Sequence, residues 1–90
     1  MKVLKFGAVW CNGCLVMRPR WEEIEKENPW LVTEYYDFDE DKEMVERYKV
    51  EMGRLPVFVF LDKRGEEILR LSGEVEKEKL VETIEQNKEK

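Results

Sequence analysis

Apolar residues along this chain alternate between strand-like runs and helix-like spacing, and each switch marks an element. MKVLKFGAV (residues 1–9) is a short, mainly apolar run that fits a largely buried strand. From Asn12 to Asn28 the pattern changes: Cys14, Met17, Trp21 and Ile24 recur at three- and four-residue steps, which puts them on one helix face. Pro29 ends that helix because proline disfavours a helical residue before it, and Pro19 inside it removes a hydrogen bond. WLVTEYYDFD, from Trp30 to Asp39, returns to a strand pattern, with Tyr35, Tyr36 and Phe38 alternating and at least one tyrosine exposed. Residues 41–49 form a short helix with Met44, Val45 and Tyr48 as its apolar side.

PVFVFLD (56–62) is dense in β-branched and aromatic residues and reads as a buried strand. DKRG (62–65) places Gly65 where a hairpin needs a positive backbone angle, so EEILRLSG (66–73) is the returning antiparallel strand. A last helix runs from Glu76 to Gln86 with Leu80, Val81 and Ile84 on one face. The order is therefore β-α-β-α-β-β-α. A helical crossover makes the first two strands parallel, and the last two form a hairpin. The fold class is α/β: a four-stranded mixed sheet with helices on its faces.

Composition narrows the partners. The chain has 90 residues, 42% hydrophobic and 41% charged, which supports one core in one domain, residues 1–90. The formal net charge is −5, and an acidic balance disfavours nucleic acid, whose phosphates call for clustered Lys and Arg. No apolar run approaches a membrane span or a secretory leader, so a cytoplasmic protein with no membrane partner is expected. EEIEKE, DEDKE and EVEKEK read as solvated helix faces, and no Gly-rich phosphate loop is present, so no bound nucleotide is expected. Trp21 and Trp30 fill the core or cap the helix end.

The two cysteines, Cys11 and Cys14, fall in AVWCNGCLVM where the first strand hands over to the first helix. A thiol at a helix N-terminus faces unpaired N–H groups and the positive end of the helix dipole, which favour its thiolate. With two residues between them, one helical turn brings the sulfurs within bonding range. Cys11, at the mouth of the helix, is the expected exposed nucleophile; Cys14, on the face with Met17 and Trp21, is the expected buried resolving thiol. Trp10 covers one side of the pair. A zinc site asks for four ligands, and this chain has two cysteines and no histidine, so no metal is expected unless two chains share one. A structural disulfide closing so short a loop would stabilise weakly.

These features together resemble the thioredoxin family over nearly the whole chain. KFGAVWCNGCLVMRP is similar to the family's active-site strand, Trp-Cys-x-x-Cys motif and proline-kinked helix; GRLPVFVFLDKRGE is similar to its cis-proline stretch, and Gly73 to the glycine after its last strand. The resemblance implies a trimmed, glutaredoxin-sized thioredoxin-like domain. It implies a monomeric thiol–disulfide oxidoreductase that reduces protein disulfides through Cys11 and Cys14. No cofactor is needed beyond the cysteine pair, and a separate reductase supplies electrons. It further implies a cis Leu55–Pro56 bond beside the cysteines, backbone hydrogen bonds from Leu55 to an extended substrate, and a shallow groove of Trp10, Leu55, Pro56 and Gly73. The alternatives are an oxidase or isomerase, or a redox-inactive peptide-binding module.

Three departures from the family qualify this picture. The usual extra strand and helix before the active-site strand are missing, which leaves WLVTEYYDFD as an edge strand with Glu34, Asp37 and Asp39 discouraging edge-to-edge pairing. Asn12-Gly13 stands where most thioredoxins hold Gly-Pro, and Leu15 where many hold a lysine. Lys5 stands where typical members carry a buried aspartate that manages the second cysteine's proton. A charged Lys5 near the sulfurs would stabilise thiolates, a buried neutral one would accept a proton, and otherwise its stem runs out to water.

Overall fold

The computed structural model describes residues 1–90. Its elements follow the expected order: β1 (Lys2–Gly7), α1 (Asn12–Glu27), β2 (Val32–Asp37), α2 (Lys42–Arg47), β3 (Val57–Leu61), β4 (Glu67–Ser72) and α3 (Lys77–Asn87), with a 3-10 turn at Met52–Arg54. The sheet is mixed, in the order β2-β1-β3-β4. β1 runs parallel to β2 and antiparallel to β3, and β3 and β4 form the hairpin. Gly65 in its turn has φ +84°, a conformation glycine adopts without steric cost.

Period-two alternation sorts the central strands onto two cores. Val3, Phe58 and Phe60 face α1 and α3, where they pack with Met17, Trp21, Ile24, Leu80 and Ile84. Leu4, Phe6, Val57, Val59 and Leu61 face the other way, under Met44, Val45 and Tyr48 of the α2 region. All five residues of β3 are buried, because that strand is covered on both faces. β2 is an edge strand, as expected, and lies next to β1, the strand that leads into the cysteines. No helix is long and apolar enough to cross a membrane.

The ends of several elements fall short of the sequence pattern. β1 stops at Gly7, and Val9 is 78% exposed because the chain has left the sheet to climb towards α1. β2 begins at Val32 rather than Trp30, since a separate turn follows α1, closed by the Leu31 N–H on the Asn28 carbonyl at 2.9 Å. Trp30 is 47% exposed and fills no core; only Trp21, at 2% exposure, does so.

Candidate active site

The cysteine pair is built by the end of one helix. Cys11 is the N-cap of α1, in extended conformation, and its sulfur accepts the Cys14 backbone N–H at 3.2 Å. Its own N–H turns back to the Ala8 carbonyl at 3.2 Å, which closes the loop from β1. The first turn of α1 holds no acidic residue of its own, but Glu74 reaches it from the loop after β4, with Oε2 3.9 Å from the position a Gly13 Cβ would take. The two cysteines are joined as a disulfide across a Cα–Cα distance of 5.2 Å. Pro19 lies further along the helix, and its missing N–H leaves the Leu15 carbonyl without the usual partner.

Pro56 packs against this turn from the start of β3. The Leu55–Pro56 bond is cis, and Pro56 is fully buried. A Cβ on Gly13 would stand 3.1 Å from Pro56 Cδ, so glycine is what lets the helix start and the proline approach. The Pro56 carbonyl accepts the Gly73 N–H at 2.8 Å, which brings Gly73 to the same edge. Leu55 is placed differently from the expectation. Its N–H is taken by the Met52 carbonyl at 3.3 Å, and its side chain packs on the α2-side core. The 3-10 turn makes that bond, so only the Leu55 carbonyl is left to offer to another chain.

Trp10 is 48% exposed, and its indole Nε1 donates to Asp39 Oδ2 at 2.7 Å while its ring meets the edge of Phe38. Asp39 therefore orients the tryptophan beside the cysteines, a role the sequence reading did not assign it. Asp37 likewise accepts the N–H groups of Asp39 and Glu40, holding the loop rather than guarding an edge. With Val9, Leu15 and Val16, Trp10 forms an exposed apolar rim around the motif.

Exposure of the two sulfur residues is opposite to the expectation. Cys11 is buried, at 8% exposure, while Cys14 is half-buried and lines a cavity of about 300 Å³. Gly7 lets the Tyr35 ring and Cys14 Sγ close over β1. A Cβ there would lie 3.2 Å from Cys14 Sγ and 3.2 Å from the Tyr35 hydroxyl, so glycine is what lets these two side chains approach β1. Burial and the nearby Asp37 carboxylate push the pKa of the Tyr35 hydroxyl above its ordinary value, so it remains a donor at neutral pH.

Lys5 belongs to the same floor. It shares the face of β1 that carries Val3, so its ammonium meets α1: Nζ donates to Glu25 Oε2 at 2.6 Å and sits 5.8 Å from the Trp21 ring centre. Thr33 Oγ1 donates to the same Glu25 oxygen at 2.9 Å. Lys5 thus neither runs free to water nor stands as an isolated charge. The apolar spacing of α1 holds no sign of Glu25, Gly7 or Tyr35 as site residues; the one available signal was that period two sets Lys5 on the helix-covered face.

A cysteine pair at a strand-to-helix junction, packed against a cis-proline at the start of a central strand, defines a thioredoxin-fold protein. The thioredoxin family model matches residues 1–86, and the chain belongs to that family. Thioredoxin H7 of Arabidopsis thaliana is 40% identical over 86 residues, covering 96% of this chain and 64% of the relative. A thioredoxin H-type of Fagopyrum esculentum is 39% identical over 71 residues, covering 79% of this chain and 59% of the relative. Among solved structures, Fasciola hepatica thioredoxin superposes with a TM-score of 0.86 at 36% identity, covering 96% of this chain and 79% of that one. The chain thus spans less than two thirds of the length of these two curated relatives.

Proposed function

We propose that this chain is a thiol–disulfide oxidoreductase that reduces protein disulfides through Cys11 and Cys14. The observation that carries the reading is the placement of Cys11 at the N-cap of α1, with the Cys14 N–H on its sulfur. That environment stabilises negative charge on the Cys11 sulfur. In the reduced protein the Cys11 thiolate attacks one sulfur of a substrate disulfide, and the other substrate sulfur leaves as a thiolate. Cys14 then loses its proton and attacks Cys11, which releases the second substrate sulfur and forms the Cys11–Cys14 disulfide. Two electrons pass to the substrate, and a separate reductase returns two to the pair.

The exposed apolar rim of Val9, Trp10, Leu15 and Val16 supports a protein rather than a small polar molecule as the substrate of this face. Trp10, the Leu55 carbonyl, Pro56 and Gly73 form the groove in this reading, and Lys5 supports the site from below. The protein works as a monomer, in a reducing compartment such as the cytoplasm, where a cysteine pair of this kind is kept cycling.

Insulin reduction with dithiothreitol as electron source tests the assignment. Wild type should accelerate precipitation of the insulin B chain, and Cys11→Ser should not exceed the uncatalysed rate; equal rates in the two contradict the reading. Cys14→Ser should accumulate mixed disulfides with its substrates through Cys11.

A further inference from the structure

The first two strands place one hydroxyl beneath the second cysteine. β1 and β2 are parallel, with Lys5 level with Tyr35 and Gly7 level with Asp37. Level residues of neighbouring strands share a face, so Tyr35 lies on the α1 side of the sheet, beside Lys5 and close to Gly7. A Cβ on Gly7 would stand 3.2 Å from the Tyr35 hydroxyl oxygen and 3.2 Å from Cys14 Sγ. The two atoms flank one point over β1, and Gly7 has no side chain to part them.

The two sulfurs are served unequally. Cys11 Sγ accepts the Cys14 N–H at 3.2 Å, whereas Cys14 Sγ accepts no hydrogen bond in the disulfide form. The Tyr35 hydroxyl has no protein partner either, while its neighbour Tyr36 donates to Glu34 at 2.7 Å. A donor without an acceptor thus stands near an acceptor without a donor. Once the disulfide opens, Cys14 Sγ is free of Cys11 and can turn about its Cα–Cβ bond towards the hydroxyl.

The other charges around Cys14 are paired or balanced. Lys5 of β1 is held by Glu25 at 2.6 Å, and Arg18 and Glu22 of α1 carry opposite signs. Glu74 approaches Gly13 from the loop after β4, and Pro56 and Phe58 of β3 bring no charge. Burial, with the Asp37 and Asp41 carboxylates, holds the Tyr35 pKa above its ordinary value against the pull of Arg18. The hydroxyl therefore keeps its proton at neutral pH.

We propose that the Tyr35 hydroxyl donates a hydrogen bond to Cys14 Sγ whenever that sulfur is a thiolate, and so eases its entry into and exit from the bond to Cys11. The inference rests on the reading of Cys11–Cys14 as a redox pair. To resolve a mixed disulfide, the Cys14 thiol gives its proton to solvent and its sulfur bonds to Cys11 Sγ. The Cys11–substrate bond breaks, and its electron pair leaves on the substrate sulfur. When a thiolate of the reductase attacks Cys11, the Cys11–Cys14 bond breaks and its electron pair leaves on Cys14, which takes up a proton. Negative charge sits on Cys14 Sγ in both directions, and a donor there favours both.

The test mixes the reduced full chain with dithiobis-nitrobenzoate in a stopped-flow spectrometer. Attack by Cys11 releases one coloured thiolate, and attack by Cys14 on the resulting adduct releases the second. Tyr35→Phe, confirmed folded by circular dichroism, should raise the pH midpoint of the second release by about one pH unit, the scale of one hydrogen bond to a charged group. At neutral pH that release should slow about threefold, less than the midpoint alone implies, because a thiolate of higher pKa is the stronger nucleophile. The first release should keep its rate and its midpoint. Tyr35→Leu should match Tyr35→Phe, because the hydroxyl and not the ring is the donor.

A second-release midpoint that does not rise in Tyr35→Phe, or rises only in Tyr35→Leu, overturns the assignment and leaves the redox reading standing. An equal shift in both releases also overturns it. Wild type that releases no second thiolate overturns the redox reading, and this inference with it.

Discussion

The two sides of the disulfide are held by different means. Above, the apolar rim rests on a turn fixed by backbone: the Cys14 N–H on Cys11 Sγ, the Gly73 N–H on the Pro56 carbonyl, and Gly13 lying against Pro56. Below, the floor is made by side chains from three elements: Lys5 of β1, Glu25 of α1, and Thr33 and Tyr35 of β2, around a cavity that Gly7 also lines. Backbone geometry of this kind tolerates change in the residues around it, provided the glycines and proline stay. A floor of paired side chains does not, because each polar partner left alone is a partly buried group without compensation.

That difference can be broken deliberately, and the largest effect belongs to the floor. Trp21→Ala removes the ring that lies 5.3 Å from Phe58 and supports Lys5, and it should cost about 3–5 kcal/mol in urea unfolding, the range for a fully buried aromatic. Next comes the rim. Gly13→Ala sets a methyl group 3.1 Å from Pro56 Cδ, so the proline must shift. Insulin reduction should fall about fivefold, since small misplacement of reacting groups is costly. The melting temperature should move little, because alanine's better helix propensity offsets the contact.

The ion pair gives a smaller and more diagnostic effect. Glu25→Ala leaves Lys5 and Thr33 without their acceptor and should destabilise by about 1–2 kcal/mol. Lys5→Met combined with Glu25→Ala should recover about half of that loss, because no charge is left unpaired. A double-variant loss equal to the sum of the Lys5→Met and Glu25→Ala losses would mean that the pair carries no coupling.

The smallest effect is a control outside both regions. Asp62 at the hairpin accepts the N–H groups of Glu66 and Arg64, and these bonds hold its carboxyl below the ordinary aspartate value. A depressed folded value means that the stability is present above the unfolded pKa and is lost as pH falls through the folded one. The melting-temperature gap between wild type and Asp62→Ala should therefore be widest at neutral pH and close on acidification, with insulin reduction at neutral pH untouched.

The rim was far more legible in the sequence than the floor. CNGC is legible from its spacing at a strand-to-helix junction, while the place of LPVF beside it is legible only through the resemblance to the thioredoxin family. The order of elements was legible as well, because each periodic run is local. The floor depends on pairs such as Lys5 with Glu25, twenty residues apart, which meet only once β1 and α1 have packed. Leu55 misled in the opposite way: the 3-10 turn before it consumes the N–H that its position beside Pro56 suggested was free.

The central claim is that Cys11 and Cys14 form one reversible redox couple, and its most direct test is a thiol titration in redox buffers. Free thiols are counted by mass after alkylation, across roughly −270 to −120 mV, the span of thioredoxin-like proteins. Both cysteines should convert together in one two-electron transition, with about 30 mV per tenfold change in the ratio of the two forms. A pair that stays wholly oxidised or wholly reduced across that span, or one cysteine that changes state without the other, would contradict it.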